Sequence, residues 1–197
     1  MPQKVLFIEI DIPREFYSEK TGNKFTNCSI CKTNLFENEI EYTIEKAYKN
    51  DKYSGKKELI FEYAICDDCQ QTISSELSKK SIENIQMYVL LYLEVYGEIE
   101  DFENPEDLKN FLQKKLNRCF VYDIHFSELA EYQRIAYFIE DNMILANASP
   151  ILFGDKAIFE IQELLSQKTR EQLEGFKDII LPPEFRETVP DGSLVFI

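Results

Sequence analysis

The stretch Leu59-Ile60-Phe61-Glu62-Tyr63-Ala64-Ile65-Cys66-Asp67-Asp68-Cys69 changes its period part-way along. Leu59, Phe61, Tyr63 and Ile65 alternate as the residues on one face of a strand do, and the strand runs straight into a Cys-x-x-Cys pair. Downstream, Ile82, Ile85, Val89, Leu93 and Tyr96 recur at helical spacing, with Gly97 as the stop. Upstream, Ile40, Tyr42 and Ile44 alternate with Glu39, Glu41 and Glu45, the pattern of a half-buried strand. Residues 49–57 are turn-forming by composition, so the two strands are expected to form a hairpin. A first pair, Cys28-Ser29-Ile30-Cys31, precedes that hairpin, and 34 residues separate it from the second pair.

Four thiolates in two close pairs suit Zn²⁺, a borderline-soft ion that prefers a closed tetrahedron in structural sites. A redox dithiol and an iron site are alternatives, because four cysteines do not by themselves name the metal. The 34-residue gap exceeds the 15–20 residues usual between such pairs. A hairpin fills the excess and returns Cys66 and Cys69 to Cys28 and Cys31. This order of knuckle, hairpin and pair opening a helix resembles a treble-clef zinc module, more than a ribbon with two knuckles, over about residues 25–95. Such modules serve unrelated functions. The expected fold class is therefore α+β, with a small four-cysteine zinc module at 1–75 joined to an α+β body at 76–197 and packed with it as one unit. Asp67 and Asp68 fall at the helix start, where negative charge is favoured.

Four cysteine ligands leave no position for water or substrate, which argues for a structural rather than a catalytic ion. A zinc deaminase needs His-x-Glu and Pro-Cys-x-x-Cys, and neither is present. A His-Asn-His nuclease module needs histidines that residues 25–95 lack, and a two-zinc RING needs eight ligands where five cysteines and one histidine supply six. The fifth cysteine, Cys119, and the single histidine, His125, have no third partner at a recognisable spacing. Cys119 reads as a small buried hydrophobe and His125 as a packed or solvent-facing side chain. No nucleophile elbow, phosphate loop or dinucleotide fingerprint occurs.

The 197 residues carry 36 acidic and 22 basic side chains, a formal net charge of −14, with 14 acidic against 6 basic residues in 119–197. That field opposes nucleic acid and anionic membranes. One local exception is Lys46–Lys57, with five lysines and two tyrosines, which could meet a phosphate backbone from the hairpin tip. A solvated, lysine-rich turn is the simpler reading. The apolar start around Val5–Ile8 is broken by Glu9 and Asp11, so a signal peptide is not supported, and the apolar run Met87–Leu93 is too short to span a bilayer. Cytoplasm is the expected compartment.

Further elements are expected as follows: a strand at 4–10, a polar loop at 14–24, and a helix opened by Asn104-Pro105 with Leu108, Phe111, Leu112 and Leu116 inward. Cys119–Ile124 reads as a strand and Tyr132–Ala146 as a hairpin turning at Asp141-Asn142. A helix then starts at Gly154-Asp155, and Thr169 with Gln172 reads as a capping box for a last helix. In that helix Leu173, Phe176 and Ile180 face inward, and Leu181-Pro182-Pro183 ends it.

Together with the two cysteine pairs, the segments Tyr42-x-Ile44-Glu45-Lys46-Ala47-Tyr48, Glu62-Tyr63-Ala64-Ile65, Glu131-Tyr132-Gln133, Leu165-Ser166-x-Lys168-Thr169-Arg170 and Pro182-Pro183-Glu184 resemble a group of uncharacterised bacterial proteins of about this length. The resemblance spans most of the chain and implies no substrate or reaction. The functional expectation is a zinc-stabilised module acting through protein contacts. The alternatives are a hydrolase with a carboxylate site in the C-terminal part, where Glu140-Asp141 and Glu184 read as surface residues, and a nucleic-acid module using the Lys46–Lys57 tip.

Overall fold

The computed structural model describes residues 7–51, 53–96, 102 and 104–181. Among these residues six antiparallel strands form one sheet: β1 (Ile8–Asp11), β2 (Glu41–Asn50), β3 (Lys57–Cys66), β4 (Glu131–Ile139), β5 (Asn142–Leu145) and β6 (Ile151–Gly154). The order is β1-β5-β4-β2-β3, with β6 pairing the first half of β4 beside β5. Among the described residues there are also five α-helices: α1 (Asp67–Glu76), α2 (Lys79–Tyr96), α3 (Pro105–Asn117), α4 (Asp155–Glu163) and α5 (Gln167–Ile180). The protein is thus α+β, and the hairpin β2–β3 shares its sheet with strands from the second half of the chain.

Strand β2 is hydrogen-bonded on both sides, to β3 from Tyr42 through Asn50 and to β4 from Glu41 through Lys49. Seven consecutive residues, Tyr42 through Tyr48, are buried, so the strand is covered on both faces rather than one. Tyr42 and Ile44 pack with Phe16, Cys28, Leu35 and Phe138. Ala47, Phe61, Tyr63 and Ile65 pack on the other side with Ile73 of α1 and Leu181. Burying that area supplies the main driving force.

Burial of both faces forces the charged residues of β2 to find partners inside. The Tyr63 hydroxyl donates to the Glu45 carboxylate, and the Thr43 hydroxyl to the Gln70 side chain at 2.9 Å. Lys46 is fully enclosed, with its ammonium 3.5 Å from both Glu62 and Glu19 and donating to the Tyr17 carbonyl. Glu62 in turn accepts from the Ser18 hydroxyl at 2.7 Å and the Glu19 N–H at 2.8 Å. Arg134 stands opposite Lys46 on β4; its guanidinium donates to the Leu116 carbonyl at 2.9 Å and lies 5.0 Å from the Phe126 ring centre. This polar row ties the N-terminal segment and the end of α3 to the middle of the sheet.

Several expectations need correction. Lys46 and Tyr48 do not lie at the hairpin tip: β4 pairs along the whole of β2, which carries both side chains into the interior. Cys119–Ile124 is a turn rather than a strand, closed by an isolated bridge between Arg118 and His125, with Cys119 N–H donating to the Ile124 carbonyl at 2.7 Å. The β4–β5 hairpin turns at Glu140-Asp141, one residue earlier than expected, since Ile139 pairs Asn142. The cap of α5 is Ser166, whose hydroxyl accepts from Thr169 N–H at 3.2 Å. The Thr169 hydroxyl is instead buried against Ser81 and accepts from Ser78 N–H at 3.0 Å, joining α5 to the start of α2. Strand β6 is an addition to the expected elements, and α1 is a separate helix before α2. The Asn104 cap, with Asp107 N–H donating to its side chain, and the Gly154-Asp155 helix start match the expectation. Residues 4–6, Gly97, the side chain of Ile180 and residues 182–197 lie outside what is described.

Removing one partner of a buried pair leaves an uncompensated charge. Glu62→Ala is expected to cost about 3–5 kcal/mol by urea denaturation. The double variant Lys46→Met with Glu62→Leu should cost less than Glu62→Ala alone. Burial pushes the Glu19 carboxyl up, but hydrogen bonds from Lys57 and Tyr48 and the Lys46 charge outweigh it and hold the group at about 2. A lowered carboxyl contributes stability above its ordinary value of 4.5 and loses that contribution as pH falls towards 2. Glu19→Gln should therefore be less stable than wild type at neutral pH, and the difference should shrink as pH is lowered from 4.5 to 2.

Candidate metal centre

The first cysteine pair lies in a tight knuckle. Asn27 bridges Asn34, Cys28 N–H donates to the Thr33 carbonyl at 2.9 Å, and Lys32 N–H donates back to the Cys28 carbonyl at 3.1 Å. Lys32 adopts a left-handed backbone, φ 65°, and its ammonium donates to the Ser29 carbonyl at 2.7 Å. The knuckle docks on the free edge of β3: Ser29 N–H donates to the Ala64 carbonyl at 2.7 Å, and Ala64 N–H donates to the Ser29 hydroxyl at 3.1 Å.

The second pair lies where β3 becomes α1. Cys66 is the last residue of the strand and the N-cap of the helix, and Cys69 lies in the first turn beside Asp67 and Asp68. An N-cap side chain normally satisfies the helix's first N–H groups. At this corner the Cys66 sulfur is turned instead to the other three cysteines. All four Sγ atoms lie within 4.8 Å of one another, with Cys31 and Cys66 3.6 Å apart. A tetrahedron with metal–sulfur bonds of about 2.3 Å has sulfur–sulfur edges of about 3.8 Å, so the donor set fits a single tetrahedral ion. The cysteines are not disulfide-bonded. The structure thus brings together all four residues expected to hold a metal, Cys28, Cys31, Cys66 and Cys69, in one group able to do so.

The electrostatics also suit a cation. The Thr33 hydroxyl, 3.3 Å from the Cys31 sulfur, holds that thiol down at about 6. Burial pushes Cys66 up to about 11, and burial with the neighbouring thiols pushes Cys69 well above the ordinary range. Cys66 and Cys69 thus resist ionising, and a bound dication would reverse that by deprotonating its ligands. Thr33 and Ser29 are supporting residues that ligand spacing alone does not single out. Their position, inside or just after a Cys-x-x-Cys spacer, is the available signal.

Cys119 and His125 do not join the centre. Cys119 is buried and its sulfur accepts from Gly154 N–H at 3.4 Å, while the half-buried His125 has Nδ1 2.8 Å from the Ser127 hydroxyl. The carboxylates of the C-terminal part make structural hydrogen bonds. Glu140 accepts from Glu39 N–H at 3.1 Å, Asp155 from Ala130 N–H at 2.9 Å, and Glu160 from the Tyr88 hydroxyl at 2.7 Å. Asp141 pairs with Lys24, and Glu184 lies outside the described residues. At the β2–β3 turn, Lys57 pairs with Glu19, leaving Lys49, Lys56 and the fully exposed Tyr53 of the expected basic tip; Lys52 is not described.

The fold and site define an α+β protein with a four-cysteine group that could hold a metal ion. Among the described residues, no helix is long and apolar enough to cross a membrane. Comparison of the chain with models of protein families, with curated proteins and with solved structures finds no match.

Because the knuckle touches β3 through few backbone bonds, the metal is expected to hold it there. Chelation, or Cys69→Ala, should lower stability by about 3 kcal/mol or more. It should also speed amide exchange in residues 26–36 and at the start of α1, while β4 remains protected. Unchanged exchange in a demonstrably metal-free sample would show that the cluster is not a metal site.

Proposed function

We propose that the protein is a zinc-clamped interaction module. Cys28, Cys31, Cys66 and Cys69 hold a structural Zn²⁺ in a treble-clef-like arrangement of knuckle, hairpin β2–β3 and helix α1. All four coordination positions are filled by sulfur, so the ion serves the fold rather than a reaction. The partner is a protein presenting an amphipathic helix.

The observation that carries this reading is on α2. Its inner face, Ile85 and Val89, is buried in the main apolar cluster, whereas Met87, Leu90 and Leu91 on the outside are each more than half exposed. Isolated apolar side chains on a surface need no explanation. Three at positions i, i+3 and i+4 make a stripe of the kind that pairs with the matching stripe of another helix. Methionine within it suits an adaptable contact.

A photo-crosslinking residue at Leu90, in cells, is expected to give a discrete protein adduct. The same residue at Tyr53, on the β2–β3 turn, should give none. Leu91→Glu should abolish the adduct while leaving metal content and thermal unfolding unchanged. An adduct of twice the chain's mass would identify the partner as a second copy. Absence of adducts at Leu90, or equal yields at Leu90 and Tyr53, would overturn the proposal.

A further inference from the structure

A cavity of about 110 Å³ opens between the end of α3, the 119–123 turn and the segment Asn147–Leu152. Its walls are apolar where Leu93, Phe111, Phe120 and Ile151 line it. Its charged lining is cationic: Lys114, Lys115 and Arg118 come from the last turn and C-cap of α3. Among the described residues the one carboxylate in the lining, Asp123, is already engaged by Arg118, whose Nε lies 2.8 Å from it. A positive lining is unexpected in a chain of net charge −14.

The α3 dipole explains basic residues in the last turn that reach into water. It does not explain Lys115. That ammonium is half-withdrawn from solvent and donates to the carbonyls of Asn147, at 2.7 Å, and Pro150, at 3.4 Å, with no carboxylate in ion-pair range among the described residues. Two of its three N–H donors are so used. Burial pushes the group down to about 8, so it remains mostly charged at neutral pH with no counter-ion among the described residues. An ammonium half-withdrawn from water and held by two carbonyls and the Phe111 ring face, 5.5 Å away, gains from a negative partner, and an anion entering the cavity would supply one.

We propose that this cavity binds a small carboxylate bearing a compact apolar group, of about the size of benzoate. The apolar group fills the space between Phe111, Phe120 and Ile151, and the carboxylate meets Lys115 and the guanidinium edge of Arg118. Size supports the class: an apolar cavity of about 150 Å³ takes benzene whole, and this one is smaller but open on one side, leaving the charged end at the mouth. An inorganic anion would leave the apolar walls wet, and a neutral arene would leave Lys115 uncompensated.

The test is titration calorimetry on the full, metal-loaded chain at pH 7 with benzoate, benzyl alcohol and inorganic phosphate. Benzoate is expected to bind with a Kd below about 5 mM, a reasonable strength for nine heavy atoms. Benzyl alcohol and phosphate should each bind at least tenfold more weakly. Lys115→Met, which keeps the stem and removes the charge, should weaken benzoate at least tenfold, and Lys109→Met, elsewhere on α3, should change nothing. Should Lys115→Met fail to fold, Leu93→Phe narrows the cavity from its half-exposed rim and should abolish binding with unchanged thermal unfolding. No benzoate binding, equal binding of benzyl alcohol or phosphate, or full affinity in the Lys115 or Leu93 variant would overturn the proposal.

Discussion

Strand β2 must satisfy two neighbours at once, and the rest of the fold is arranged around that demand. Its backbone is paired to β3 on one side and β4 on the other. Its side chains are buried on both faces although they include Thr43, Glu45 and Lys46. Their partners come from three parts of the chain: Glu45 meets Tyr63 on β3, Thr43 meets Gln70 on α1, and Lys46 meets Glu62 on β3 and Glu19 in the N-terminal segment. An apolar strand would tolerate a slipped register, whereas one with buried charges leaves an unpaired ion if it slips. The polar residues of β2 thus select which segments cover it.

The metal centre finishes what that strand begins. The N-terminal segment that brings Glu19 to Lys46 continues into the knuckle, and the knuckle seals the outer edge of β3 at Ala64. An exposed strand edge is a site for unwanted pairing. Covering it with a short loop requires that the loop be held, and an ion bound by the four sulfurs that converge at the β3–α1 corner could provide the hold. In this account the ion stabilises a junction between sheet, helix and N-terminal segment. The proposed docking stripe on α2 and the proposed cavity beside α3 use other elements, so both can operate on a scaffold that the proposed ion would brace.

The cysteine grouping is legible in the sequence because ligand spacing is itself chemistry: two close pairs separated by a hairpin leave few other uses for four thiols. The hairpin is legible because Leu59, Phe61, Tyr63 and Ile65 alternate. The full extent of β2 is not, since Glu45-Lys46 breaks the apolar pattern and the strand that buries it, β4, begins more than eighty residues later. That non-local pairing is why Lys46 and Tyr48 read as a basic tip and are interior instead. Strand β6 escapes because its four residues, Ile151–Gly154, are all buried and show no alternation. Thr169 reads as a cap because it and Ser166 are both plausible capping types, and only the approach of Ser78 and Ser81 decides which hydroxyl is free to cap. Lys115 carries no signal: its ordinary place in a helix's last turn hides a cavity formed by a segment about thirty residues away.

The central claim is that one ion, held by four sulfurs, joins the knuckle to the β3–α1 corner. X-ray absorption at the zinc edge of the purified protein measures that coordination sphere directly. The account predicts four sulfur neighbours at about 2.3 Å and no nitrogen or oxygen. Fewer than four sulfurs, or a nitrogen or oxygen among the ligands, would contradict it.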